Sequence, residues 1–256
     1  MPPAPLPLSA VLITHNAAAQ LGECLESVAF ADDIVVVDSG STDGTQALAT
    51  AAGARVIASP WLGFGPQKRY AVEQAMHDWV LCIDADERVP ATLATAIRHA
   101  LAEGQHGAYQ MPRSNYFMGR YLRHGEGFPD WSLRLFDRRQ AQWSHDPVHE
   151  KVIATTSIGR IACATGLLHH SADSLDAYLD KQNRYTSLQA RALHAAGAKI
   201  GLMHILVSPL LRFIKFYLLK RGFLDGVPGL VHVAIGCFNS FTKYAKVCAL
   251  RAMEKK

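Results

Sequence analysis

The chain has 256 residues, 49% of them apolar, which supports one sizeable domain with an appended element and excludes a disordered chain. Its net charge of +4 is unevenly spread: from Lys199 onward ten basic residues meet two acidic ones, Asp225 and Glu254, so a basic tail follows a mildly acidic body. Five scattered cysteines with no CxxC pair exclude a disulfide framework and a cysteine zinc site, and fit a reducing cytoplasm.

The first seven residues are proline-rich and have neither the basic nor the apolar region of a signal peptide. Residues 8–14 form a short β-branched apolar run. Residues 20–28 then place Leu21, Cys24, Leu25 and Val28 on one helical face. A second strand is predicted over 34–37, followed by a turn-rich loop and an alanine-rich helix. A third strand is predicted over 54–58, a helix over 66–77, a fourth strand over 79–83, and a helix over 90–102 with proline near its start. Short apolar strands alternating with helices predict an α/β fold, a mainly parallel sheet covered on both faces. Ligands in such sheets sit at the carboxyl ends of the strands. After Gly104 the pattern changes. Strands over 108–112 and 132–137 are separated by loops dense in Arg, His, Trp and Gly. A long helix follows over 174–196, and a helical, apolar and basic section over 200–256.

Two stretches carry chemistry. Asp38-Ser39-Gly40-Ser41-Thr42-Asp43-Gly44-Thr45 follows the second strand directly. Ser41, Thr42 and Asp43 suit a turn and helix cap. Asp38 ends a buried strand, where a carboxylate is costly without a partner, and a nucleoside edge or ribose is the expected partner. Ile83-Asp84-Ala85-Asp86-Glu87 ends the fourth strand. Residues i and i+2 of a strand face one side, so Asp84 and Asp86 are expected to aim two carboxylates at one point. Two like charges there call for a cation, and Mg²⁺ or Mn²⁺ with a substrate diphosphate meets that need.

With Leu12-Ile13-Thr14-His15-Asn16 closing the first strand, these motifs resemble glycosyltransferase family 2 and its GT-A fold. Trp131-Ser132-Leu133-Arg134-Leu135-Phe136, Val148-His149-Glu150 and Lys220-Arg221-Gly222-Phe223-Leu224-Asp225-Gly226 resemble the branch that builds the lipopolysaccharide core in bacteria. That branch includes β-1,4-glucosyltransferases acting on the inner-core heptose. The resemblance covers nearly the whole chain. It implies that Thr14, Asn16 and Asp38 hold the nucleoside, and that Asp84 and Asp86 flank ribose, diphosphate and metal, with Asp86 the more direct ligand. Lys68 falls where the family often has a basic residue before an asparagine, but Arg69 stands in the asparagine position here.

With the resemblance, Glu150 is the candidate general base, in a loop where the sheet pattern has broken; a surface glutamate is the alternative. His169, like its neighbour His170, either completes the metal shell or contacts the diphosphate, or is a partly buried structural histidine. Arg134 and Lys181 are each a phosphate neutraliser or an ordinary strand or surface residue.

The implied activity is inverting transfer of a hexose, glucose from UDP by resemblance, to a lipid-anchored glycan such as inner-core heptose. The expected cofactor is a divalent metal, and nucleic acid is not expected as a partner. Residues 1–197 are read as the catalytic domain, with a nucleotide-sugar half (about 8–105) and an acceptor half (about 106–197). Residues 198–256 are read as amphipathic helices. Their apolar stretches at 202–219 and 227–241, flanked by Lys220-Arg221 and Lys243 to Lys246, suit a monotopic element on an anionic membrane. The expected location is therefore cytoplasmic, peripheral on the inner face of the plasma membrane; helices packed on the catalytic domain are the alternative. A polyprenyl-phosphate or other envelope-polysaccharide glycosyltransferase is the alternative within the family. A sugar nucleotidyltransferase would bring a glycine- and lysine-rich N-terminal loop, and an oxidoreductase a GxGxxG after the first strand; neither is present.

Overall fold

A computed structural model of the chain describes residues 6–146, 150–170 and 174–254. The first five residues, and Val148 and His149 of the 148–150 motif, lie outside the described residues.

The elements in order are β1 (Leu8–Thr14), α1 (Ala18–Ser27), β2 (Asp33–Asp38), α2 (Thr45–Ala51), β3 (Arg55–Ala58), α3 (Phe64–Glu73), β4 (Trp79–Cys82), β5 (Glu87–Arg88), α4 (Ala91–Glu103), β6 (Ala108–Phe117), β7 (Arg120–Tyr121), β8 (Asp130–Asp137), β9 (Ala141–Trp143), β10 (Val152–Ala154), β11 (Ile158–Arg160), β12 (Leu167–His169), α5 (Leu175–Ala195), α6 (Leu202–Phe213) and α7 (Gly226–Glu254). Between α6 and α7 lie a π-helical turn, Ile214–Leu219, and a short 3₁₀ turn, Gly222–Asp225. The chain divides into two compact units. One is the chain up to Arg113 with Trp131–His169; the other is Ser114–Asp130 with the chain from His170 onward. Helix α5, which precedes position 198, belongs to the second.

In the first unit β1, β2, β3 and β4 are parallel, and β8 is antiparallel to β4. The sheet order is β3-β2-β1-β4-β8-β6-β12-β5. Side chains along these strands alternate between two cores. Leu8, Ala10, Leu12, Val36, Leu81 and Ile83 face α1 and α4, whereas Val11, Val35, Val37, Val80 and Cys82 face α3. Strands buried on both faces explain the continuous apolar runs in the sequence. Helix α4 buries Leu93, Ile97, Ala100 and Leu101, one helical stripe, and ends at Gly104 in the left-handed region (φ 60°). Truncating the fully buried Ile97 to alanine should cost about 2–5 kcal/mol.

In the second unit α7 packs against α5 and α6. Three of the ten basic residues of the tail, Arg212, Lys246 and Arg251, are used internally. Arg212 pairs with Glu126 and donates to Ser240 Oγ at 3.1 Å. Lys246 donates to Asn183, Thr186 and Ser187, and Arg251 donates to the carbonyls of Ala198 and Ile200. Apolar side chains do the opposite. Leu202, Leu206, Leu210, Ile214 and Leu218 form an exposed i, i+4 ridge, and Val227, Leu230, Phe238 and Phe241 line an exposed face of α7. The 18-residue helix Leu202–Leu219 is long and apolar enough to cross a membrane by length and composition.

Candidate active site

The carboxyl ends of β1, β2 and β4 carry the motif residues. Asp38 is fully buried, and its carboxylate accepts from Thr14 Oγ1 (2.8 Å), the Ser41 and Gly40 amides (2.9 and 3.1 Å), the Ser41 hydroxyl and Gln46 Nε2 (2.6 Å). Burial alone would raise this carboxyl, but these bonds hold it below the usual carboxylate range. The chain's own loop therefore supplies partners to this buried carboxylate. Asn16 acts similarly. It adopts φ 50°, its Oδ1 accepts the Thr42 amide at 2.9 Å, and its own amide donates to Ser41 Oγ at 2.8 Å. Thr14, Asn16 and Asp38 together set the shape of the 39–45 loop.

Asp84 and Asp86 face different partners. Strand β4 ends at Cys82, and the Glu87 amide donates to the Asp84 carbonyl at 2.9 Å, closing a turn in which strand alternation no longer holds. Asp84 lies 2.6 Å from Arg134 Nη2 and 3.1 Å from Lys68 Nζ. Desolvation would raise its carboxyl, but the guanidinium and the ammonium overcome this and hold it far below the usual range. Asp84 thus pairs with two cations in the folded chain. Asp86 points elsewhere, to His169 Nε2 at 3.4 Å, where β12 pairs with β5.

Arg134 is 4% exposed and bridges Asp84 and Glu87 (2.7 Å). Glu87, the last residue of the second motif, is a fully buried hub. It pairs with Arg134 and Arg113 and accepts the Asp84 amide at 3.0 Å. No pattern in the sequence marks it beyond its place after the two aspartates.

Lys68 on α3 is 8% exposed and lies between two carboxylates, Asp84 and Glu150, the latter at 2.9 Å, with the Trp143 ring 4.7 Å away. Gly65 makes this possible. A Cβ there would lie 2.3 Å from the Ser144 carbonyl, so only glycine lets the 144–146 strand exit cross the start of α3. Burial lowers the ammonium pKa, but the carboxylates more than compensate and raise it. One face of the first unit thus gathers Lys68, Asp84 and Glu150, with Asp86 on the turn into β5 and His169 at the end of the neighbouring β12. Among the described residues, no group of three or more His, Cys, Asp or Glu comes together to hold a metal. Asp86 and His169 nonetheless form a carboxylate–imidazole pair, a donor set that suits a divalent ion whose other positions are taken by phosphate and water. His170 falls in the second unit, stacked on Tyr116 and bonded to Tyr121.

A model of the family described as Glycosyl transferase family 2 matches residues 9–162. The lipopolysaccharide core biosynthesis glycosyltransferase LpsC of Rhizobium meliloti is 31% identical, over 98% of this chain and 95% of its own. An uncharacterized glycosyltransferase of Rickettsia felis is also 31% identical, over 94% and 89%. Among solved structures, the mannosyltransferase PcManGT from Pyrobaculum calidifontis, in complex with GDP-Man and Mn²⁺, superposes with a TM-score of 0.55. It is aligned over all of this chain and 89% of its own at 16% identity, which shows a shared fold, the GT-A arrangement.

Proposed function

The chain belongs to glycosyltransferase family 2, and on that premise we propose that it transfers a hexose, with inversion, from a nucleotide sugar to a lipid-anchored glycan of the lipopolysaccharide core type. UDP-glucose is the first donor to test. The single observation that carries the proposal is the grouping of Glu150, Lys68, Asp84 and the Asp86–His169 pair at the carboxyl end of the parallel strands.

The loop shaped by Thr14, Asn16 and Asp38 receives the nucleoside. Asp86 and His169 are the residues that would hold a divalent ion beside the diphosphate. Such an ion, when bound, supplies Lewis-acid stabilisation of the leaving nucleoside diphosphate. Asp84, held by Lys68 and Arg134, fixes the turn that presents Asp86. Glu150 takes the proton from the acceptor hydroxyl as its oxygen attacks the anomeric carbon, and Lys68 orients the carboxylate for that task. Transfer of label from a nucleotide sugar to extracted truncated lipopolysaccharide, lost in Glu150→Gln, tests the reading.

We propose a cytoplasmic location, with the protein adsorbed on the inner face of the membrane. The exposed ridge of α6 and the exposed face of α7 support it. Burying one leucine is worth about 1.5–3 kcal/mol, whereas one basic residue near an anionic surface is worth about 1 kcal/mol. The apolar term therefore dominates, with Lys215 and Lys220 as an added rim. Lying in the headgroup layer suits Leu202–Leu219 better than spanning does. Arg212 near its middle is paired with Glu126, and a spanning helix would carry that charged pair to the costly centre of the bilayer.

A further inference from the structure

The Lys220–Gly226 signature has no part in the chemistry above, yet its carboxylate is among the most committed groups in the second unit. Asp225 is 1% exposed. It accepts the Arg123 amide at 3.0 Å and the His124 amide at 2.8 Å, and His124 Nδ1 lies 3.3 Å away. Arg120 Nη2 stands 3.9 Å from it. The Gly125 amide donates to the Lys220 carbonyl at 2.9 Å, and a Cβ on Gly125 would sit 3.0 Å from Gly222 Cα. Two distant segments, 120–125 and 220–225, are therefore locked backbone to backbone around one buried acid.

That lock leaves its cations outward. Arg120, Arg123 and Arg221 are exposed. Arg221 holds φ 55°, a left-handed conformation that favours glycine, and still carries a guanidinium. Arg120 lies on β7, Arg123 on the loop after it and Arg221 on the inter-helix turn, whereas the apolar ridge runs along α6 and the π-helical turn that follows it. The lock fixes the backbone that carries these arginines, and guanidinium groups so placed suit a ligand with defined anionic groups, because each planar fork can take a phosphate or carboxylate in a bidentate manner. Mobile rim lysines such as Lys215 suffice for diffuse headgroup charge.

From this we infer that Arg120, Arg123 and Arg221 form a binding site for the anionic groups, phosphate or carboxylate, of the lipid-anchored glycan acceptor. The inference rests on the proposed reading of a lipid-anchored acceptor. It assigns the locked loop to holding that acceptor's charge at the membrane surface, beside the helices that contact lipid.

The test is direct binding, which does not depend on turnover. Co-sedimentation is measured with phosphatidylcholine vesicles carrying extracted truncated lipopolysaccharide, either intact or stripped of its phosphomonoesters and with its carboxylates reduced. Plain phosphatidylcholine and phosphatidylglycerol vesicles serve as references. The full-length protein should bind intact glycolipid vesicles about tenfold or more tightly than stripped ones. Arg120→Gln/Arg123→Gln/Arg221→Gln should lose that preference while still binding plain vesicles through α6 and α7. Circular dichroism of the same variant confirms its fold, and Arg→Lys versions at the three positions should recover the preference in part. Equal binding of intact and stripped glycolipid by the native protein would overturn the inference. So would a preference that survives the triple change, or an equal loss on phosphatidylglycerol, which would make the cluster a general headgroup rim. A transfer assay on the same preparations reads the proposed activity separately: binding preference without transfer would leave the site standing and sink the activity.

Discussion

Lys68 Nζ lies 2.9 Å from Glu150 Oε1, although 82 residues separate them, and the same ammonium lies 3.1 Å from Asp84. One buried cation thereby ties the candidate base to the turn that carries the candidate metal ligand.

Glu150→Gln keeps the oxygen that accepts from Lys68 but cannot take a proton. Turnover should fall about 10²–10⁴-fold with donor affinity little changed. Lys68→Met, which frees the Glu150 carboxylate, should also lower turnover, and Lys68→Arg should restore part of it. Steady-state kinetics with the donor varied checks both; a near-native rate in Glu150→Gln removes this residue from the mechanism.

Asp86→Ala and His169→Ala should each abolish transfer and weaken Mn²⁺ binding measured by titration calorimetry in the presence of nucleoside diphosphate. EDTA should abolish transfer by the native protein. An enzyme that runs at full rate in EDTA refutes the metal assignment.

Asp84 makes its contribution through structure. Its carboxyl pKa in the folded protein is far below the unfolded value of about 3.9. The unfolded state therefore binds the proton more readily, and the stabilisation is fully present above about pH 5 and lost as pH falls through lower values. Removing the carboxylate leaves Lys68 and buried Arg134 with one counter-charge fewer, at a cost of about 3–5 kcal/mol. Thermal melts should show Asp84→Asn well below native at pH 7, with the gap narrowing as the pH is lowered below about 4. Parallel curves at all pH values contradict the assignment.

How much of this was legible in the sequence follows from distance along the chain. The parallel strands and their helices were readable because apolar periodicity is local, and β1, β2 and β4 lie where the runs predict. Strands β5 and β12, two and three residues long, carry no periodicity, yet their pairing places His169 beside Asp86. The two aspartates were read with strand alternation, which fails because a turn begins at Asp84. Asp38 was rightly read as a buried carboxylate in need of a partner. Its donors lie up to 24 residues away and are invisible to a linear reading. The charge of the tail was legible, but not its use: Arg212, Lys246 and Arg251 are consumed by internal acceptors that only packing brings near.

The membrane reading is tested on the apolar face. Leu206→Glu/Leu210→Glu/Phe238→Glu should move the protein from the membrane to the soluble fraction and lower transfer to a lipid acceptor. Lys215→Gln/Lys220→Gln should make binding only more salt-sensitive. High salt alone should release part of the native protein, with detergent needed for the rest. Native protein found wholly in the soluble fraction at low salt defeats the reading.

The proposed reaction is transfer from a nucleotide sugar to a lipid-anchored glycan. The most direct measurement incubates purified protein and a divalent metal with a panel of labelled nucleotide sugars and extracted truncated lipopolysaccharide, then counts label in the lipid fraction. We expect one donor, UDP-glucose first, to label the lipid with the native protein and to leave it unlabelled with Asp86→Ala or Glu150→Gln. Label that never enters the lipid fraction with any donor, or that enters it equally with both variants, would contradict the account.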